Sequence, residues 1–241
     1  MYNAFVITGR WQTAANLATI PSIPVGVYLV ATDLSLWWLV VSFVVYMLIH
    51  GAMVLGCHML LSHRAFSTSR WIERLMAVVS SLSFQGSPAS WVHAHLLHHK
   101  HSDTEKDSHI VSWRFFLVKS FREGAGKPGR IVVDLMRQPF YKALHQYSAA
   151  ICLGVAAALL IIDPLLFLFA YAIPVSYTFL AVACSLVFLH RGGRPRDLWF
   201  LAVLFPAGEW FHKEHHDRPC DWRKGGWSLC YYLIPFIEEK V

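Results

Sequence analysis

Four stretches of this chain lack lysine, arginine, aspartate and glutamate over lengths close to the thickness of a bilayer, and they set the fold class before any motif is read. They fall at about 13–32, 34–57, 147–162 and 165–189. Some 20 predominantly apolar residues suffice for a helix to cross the hydrocarbon layer. Only 15% of the residues are charged, where a soluble domain has about a quarter, so the chain has too little polar surface to cover itself in water. The expectation is an all-α integral membrane protein of one domain, 1–241, with four transmembrane helices in two hairpins. The hairpins turn at Thr32-Asp33 and at Asp163-Pro164.

The basic residues orient these spans. All 21 Lys and Arg lie in three places: Arg10, the segment from Arg64 to Lys142, and the segment from Arg191 onward. Neither hairpin turn has one. By the positive-inside rule both termini and the central segment are expected in the cytoplasm. Residues 75–85 are apolar but too short to span, residues 110–121 mix aromatic with basic side chains, and both, like 197–211, read as helices lying in the membrane interface, forming a cytoplasmic cap. The net charge of +6 is then a membrane-surface feature. The basic residues are dispersed and form no nucleic-acid motif, so no nucleic-acid partner is expected. The five cysteines form no C-x-x-C, and buried thiols are the expectation for them.

The chemistry is carried by histidine. Three clusters recur, His58-x4-His63, His95-x2-His98-His99 and His212-x2-His215-His216, and a lone His190 ends the fourth apolar run. With 14 histidines in 241 residues, an H-x-x-H-H pattern is expected by chance only about 0.05 times, and it occurs twice. Neutral imidazole is the commonest metal ligand. Eight clustered imidazoles without cysteine among them exceed what one tetrahedral ion uses. Positions i, i+3 and i+4 of a helix share a face, so each H-x-x-H-H triplet can present its rings in one direction. His58 and His63 are about 140° apart on an ideal α-helix and converge only if the second span ends or unwinds there. His50 lies mid-span, where an ionisable side chain is a functional suspect, although a helix-to-helix hydrogen bond accounts for it equally well. His93 and His101 lie off the cluster spacing and are not expected to ligate; His109 and His145 read as interfacial or supporting. Ligating imidazoles usually donate their other N–H to a carboxylate or carbonyl. Asp103, Glu105, Asp107, Glu209, Glu214 and Asp217 are near enough in sequence, Asp103 and Glu209 being the two singled out.

The order of these boxes across four spans resembles the membrane fatty-acyl desaturases, in particular the stearoyl-CoA (delta-9) branch. Ser62-His63-Arg64 with Phe66 is similar to that branch's first box, and Trp91 stands four residues before His95 as in its second. His99-Lys100 through Thr104 resembles the continuation of that box, and Gly208-Glu209-Trp210-Phe211-His212 resembles its third. Arg194-Pro195 follows His190 much as an Arg-Pro pair follows the family's lone histidine.

The resemblance implies that the nine histidines, His58, His63, His95, His98, His99, His190, His212, His215 and His216, hold two Fe ions on the cytoplasmic face. It implies that O2 is the co-substrate, that a cis double bond is made in an acyl chain, and that Trp91 contacts the substrate. Two departures stand out, the first at the surroundings of the second metal and the second at the carrier of that chain. The family's Asn ahead of the lone histidine, which holds a water on one metal, is replaced by the stretch Cys184-Ser185-Leu186-Val187. An Arg-Asp pair ahead of the second box is here His93-Ala94, and Gly86 stands for an Asn. Both acyl-CoA and acyl-lipid substrates therefore stay open. The stretch after His216 carries no fused haem domain, so electrons are expected from a separate carrier, of ferredoxin or small cytochrome type, and its reductase. Two other readings are a related di-iron hydroxylase or alkane monooxygenase and a non-catalytic membrane metal-binding protein.

Overall fold

The computed structural model describes residues 10–107, 127–223 and 228–239. The interfacial helix expected over 110–121, and His109, lie outside the described residues.

The chain begins with α1 (Arg10–Thr19) and α2 (Ser22–Thr32), separated at Pro21, then α3 (Trp37–Ala52), which continues without a break into a π-helical segment, Met53–Ser62. There follow α4 (Arg70–Ser81), α5 (Pro88–His101), α6 (Arg130–Arg137) and α7 (Pro139–Ile162). After Asp163 come α8 (Pro164–Phe167), a second π-helical segment (Leu168–Ala172) and α9 (Ile173–Phe188), which form one continuous rod. The short α10 (Leu201–Leu204), α11 (His212–Asp217) and α12 (Leu229–Ile237) complete the described chain. No strand is formed among the described residues; Asp197 and Phe211 make an isolated antiparallel bridge.

Four helical stretches are long and apolar enough to cross a membrane: Ala14–Thr32, Trp37–Ser62, Pro139–Ile162 and Pro164–Phe188. The protein is accordingly an all-helical membrane protein. The second and fourth stretches form the centre, α3 packing on α9, while the first and third lie outside them and are mostly exposed. Val27, Phe43, Leu48 and Ile161 project outward, as side chains do where acyl chains and not water are the neighbours.

Four boundaries differ from the sequence reading. The second stretch, expected over 34–57, runs from Trp37 through the π-helical segment to Ser62, and the helix expected over 75–85 spans Arg70–Ser81. The third stretch begins eight residues earlier, at Pro139, because its first turns are amphipathic. Tyr141 and Leu144 are buried there, whereas Lys142 is exposed and breaks the apolar run. Residues 197–211, expected as one interfacial helix, are helical only over Leu201–Leu204. Pro206 bars Phe205 from helical geometry, and the chain then turns back to pair Phe211 with Asp197. The thiols of Cys57, Cys152 and Cys230 are buried as expected, but Cys220 is exposed.

Both π-helical segments have local causes. In the second, Pro174 has no N–H to donate backwards; the Phe169 carbonyl is capped instead by the Ser42 hydroxyl at 2.6 Å, which ties α3 to the fourth span. In the first, the Ser62 hydroxyl donates to the Cys57 carbonyl five residues back at 2.6 Å, and His63 N–H donates to the His58 carbonyl at 3.2 Å. That segment lies tight against α4: a Cβ built on Gly56 would sit 2.8 Å from Met76 Cβ. Gly56→Ala is therefore expected to destabilise the protein by about 1–3 kcal/mol. Thermal unfolding in detergent measures this, and an unchanged Tm would contradict the close packing.

Candidate metal centre

The π-helical winding answers the five-residue spacing of the first box. Its hydrogen bonds run from residue i+5 to residue i, so His58 and His63 become neighbours one turn apart, with ring centroids 5.1 Å apart. The change of winding does what a plain α-helix could not.

The other two boxes sit on α5 and α11. The start of α5 is fixed by Ser87, whose hydroxyl accepts from Ser90 N–H at 3.2 Å, and by Pro88 in its first turn. The nine imidazoles meet as two adjoining sets. His58, His63, His95, His99 and His215 form one; His98, His190, His212 and His216 form the other. Within each set the ligand nitrogens lie within 4.8 Å of one another, and each set could hold a metal ion. The triplets are shared crosswise: α5 gives its i and i+4 rings to the first set and its i+3 ring to the second, while α11 does the reverse. His99 and His216 stack between the sets, centroids 4.2 Å apart and planes 12° from parallel.

The nitrogens face inward. Nε2 of His58 is 2.8 Å from Nε2 of His215, and the His63–His95 pair is at the same distance. His190 and His212 approach to 2.7 Å. Two carboxylates decide what two of these nitrogens carry. Asp107, itself buried, accepts from Nδ1 of His98 at 2.9 Å and from the backbone N–H of Asp103 at 3.0 Å. Asp103, held at a left-handed φ of 62°, accepts from Nδ1 of His190 at 3.2 Å. The proton thus sits on Nδ1 in both rings and each Nε2 presents a lone pair. These two bare nitrogens are only 3.1 Å apart. Such a buried pair is repulsive unless a cation lies between them, so the donor set fits a metal. Imidazole suits iron, zinc, copper and nickel alike.

Burial keeps the cluster neutral. It pushes the pKa of His95, His99, His212 and His215 well down, and neighbouring imidazoles add to the effect. His216 is pushed down to about 3, by burial first and then by His98 and His190. Neutral imidazole is the ligating form.

Of the remaining candidates, Trp91 stacks on His95, with centroids 4.9 Å apart, and lines a cavity that His58, His95, His98 and His212 also line. Glu209 lines it too and accepts from the Ser228 hydroxyl at 2.6 Å. His145 lies apart from both sets, against the Ser87 hydroxyl at 2.7 Å, and His93 and His101 belong to neither. His101→Ala is expected to keep most of the metal and most of the activity; loss of either would place it in the centre. Asp107 was one of six carboxylates within sequence reach, and nothing in its spacing from His98 marked it out.

The chain is 31% identical over 177 residues to the sn-1 stearoyl-lipid 9-desaturase of Anabaena variabilis, a match covering 67% of this chain and 64% of that protein. It is 29% identical over 224 residues to the delta-9 acyl-lipid desaturase 2 of Arabidopsis thaliana, covering 85% and 72%. The acyl-CoA delta(11) desaturase of Trichoplusia ni is 28% identical over 225 residues, covering 82% and 63%. The chain belongs to the membrane fatty-acyl desaturase family. No family model matches it. Its match thus takes in less than two thirds of the length of the Anabaena and Trichoplusia enzymes. Their names include both lipid-linked and CoA-linked acyl chains, so membership in the desaturase family does not by itself choose the carrier.

Proposed function

We propose that this protein is an O2-dependent fatty acyl desaturase that introduces a cis double bond, delta-9-like in position, into an acyl chain. The observation that carries this is the meeting of nine imidazoles, as sets of five and four, beside a largely apolar cavity between the second and fourth spans. The reaction balances as –CH2–CH2– plus O2, two electrons and two protons giving –CH=CH– and two waters. Two irons, one in each histidine set, would supply the redox chemistry that an unactivated C–H bond requires and that no side-chain acid or base provides.

The chain's own residues do the rest. Met53, Val54 and Leu186 offer the alkyl chain an apolar wall. Trp91, stacked on His95, fixes that ring and closes the cavity beside it. Asp103 and Asp107 hold the proton on Nδ1 of His190 and His98, keeping Nε2 free for the metal. Exclusion of water protects the site from side reactions.

In this reading the four spans form two hairpins of a single domain, and the histidine sets lie on the cytoplasmic face under a helical cap. The acyl chain arrives from the bilayer on a glycerolipid or coenzyme A. A separate ferredoxin-type or small cytochrome-type carrier and its reductase deliver electrons to a basic surface, which favours an acidic partner. The test is expression in a host whose fatty acids are then read by gas chromatography. A new unsaturated ester is the expected product. A hydroxy acid in its place would assign the chain to oxygen insertion and overturn the proposal.

A further inference from the structure

Six of the nine clustered imidazoles are buried, and three, His99, His212 and His216, are half-buried. His212 lines the cavity, where an acyl chain would cover it. His99 and His216 line no part of that cavity. Nε2 of His99 meets Nε2 of His215 at 2.9 Å, and Nε2 of His216 meets Nε2 of His212 at 3.1 Å. The edge that each ring turns outward is therefore the one away from its own set. The two rings belong to different sets and lie face to face, centroids 4.2 Å apart and planes 12° from parallel, close enough to be in contact. The exposed Cys220 marks the same rim. Its Sγ lies 3.2 Å from the His63 carbonyl oxygen, and the His63 and His99 rings are 4.6 Å apart.

From this geometry we infer that the stacked His99–His216 pair is the electron entrance of the enzyme. A one-electron protein carrier docked over the pair reduces both metal sets through it. The inference rests on the di-iron desaturase reading and adds the place where that reaction's electrons come in. Electron tunnelling through protein falls steeply with distance, so the ligands nearest the surface give the shortest way in. The cavity side is closed to a carrier because the acyl chain fills it, and the other ligands lie behind protein atoms. Two carriers, docking in turn, each lose one electron, and one ferric ion in each set becomes ferrous. Because the two rings touch, one docking geometry serves both sets.

The test places a bulky polyethylene glycol maleimide on Cys220 of the full chain in nanodiscs. Cys57, Cys152 and Cys230 are buried, and Cys184 lies within the fourth span. Oxidised, iron-loaded protein is mixed without oxygen with a reduced plant-type [2Fe–2S] ferredoxin or a reduced small b-type cytochrome, and carrier oxidation is followed by absorbance. Uncapped protein is expected to oxidise two equivalents of one of these carriers, one per iron. The cap is expected to abolish this while dithionite still reduces both irons. His58→Ala and His190→Ala, each left with one iron, should each take one equivalent and each lose it on capping. The same cap on Ser35→Cys in a Cys220→Ser background, at the exposed turn before α3, should change nothing. Surface plasmon resonance on iron-depleted protein gives a readout independent of the metal: the same carrier should bind, and the Cys220 cap should remove that binding. Unimpaired carrier oxidation or binding after capping would overturn the inference and leave the desaturase reading intact. So would a cap that blocks only one set, or oxidation of neither carrier by uncapped protein that dithionite reduces. Absence of bound iron, or of a new double bond once dithionite-reduced protein meets O2 and substrate, would sink the desaturase reading and this inference with it.

Discussion

Replacing His58 by alanine is expected to abolish desaturation, by more than about 100-fold in kcat, and to remove one of two bound irons while the other stays. His58 is one of five nitrogens in its set and lies 2.8 Å from Nε2 of His215. Its loss opens a gap on the side facing the cavity and leaves the other set's four nitrogens, His98, His190, His212 and His216, in place. His190→Ala is the complementary case: the four-histidine set loses a ligand and the five-histidine set keeps its own. Inserted, folded protein with about one iron per chain is the expected result for each variant, read by metal analysis after anaerobic purification. Full turnover in either variant would remove that residue from the centre. Loss of both irons from each would show that the sets are one interdependent site and not two adjoining ones.

Asp107→Asn is expected to weaken iron binding in the four-histidine set by about 10–100-fold and leave the other set unchanged. Asp107 is buried, and one of its oxygens accepts both from Nδ1 of His98 at 2.9 Å and from Asp103 N–H at 3.0 Å. It therefore fixes His98 directly and, through the Asp103 turn, steadies the carboxylate that fixes His190. The amide preserves the shape and removes the charge. It supports the imidazole N–H more weakly and withdraws the negative field that makes Nε2 a better donor. In the five-histidine set, Nδ1 of His215 is buried without a partner. Titration of iron-depleted protein with Fe(II) should show two equal steps becoming one normal and one weakened, with activity recovering at excess iron. An unchanged titration would show that Asp107 only braces the loop.

The sequence made the ligand types legible and left their grouping hidden. Triplet spacing shows that His95, His98 and His99 can share a face, but the division of i, i+4 from i+3 depends on α11 crossing α5. That contact joins residues more than a hundred positions apart, such as His215 and His99 at 2.9 Å. The H-x4-H spacing required a local change of helix winding, and the form it took depends on Gly56 against Met76 and on the Ser62 hydroxyl, neither visible as a pattern. Four apolar stretches were readable because hydrocarbon imposes a minimum length. The early start at Pro139 was not, since an amphipathic first turn resembles a loop in composition. The helix expected over 197–211 broke at Pro206, a residue whose effect the composition of the segment masked. Among the carboxylates, Asp103 and Glu209 were singled out from sequence proximity. Asp103 does reach an imidazole, Glu209 faces the cavity and Ser228, and the better-buried Asp107 was not distinguished, because the turn that folds it back onto His98 has no sequence period.

Iron content combined with Mössbauer spectroscopy on anaerobically purified protein tests the central claim most directly. About two irons per chain are expected, in two distinguishable nitrogen-rich environments of equal weight. The spectrum of His190→Ala should lose one of the two and keep the other. A single tightly held zinc per chain, or iron whose amount and spectrum are indifferent to the loss of His58 and of His190, would contradict the account.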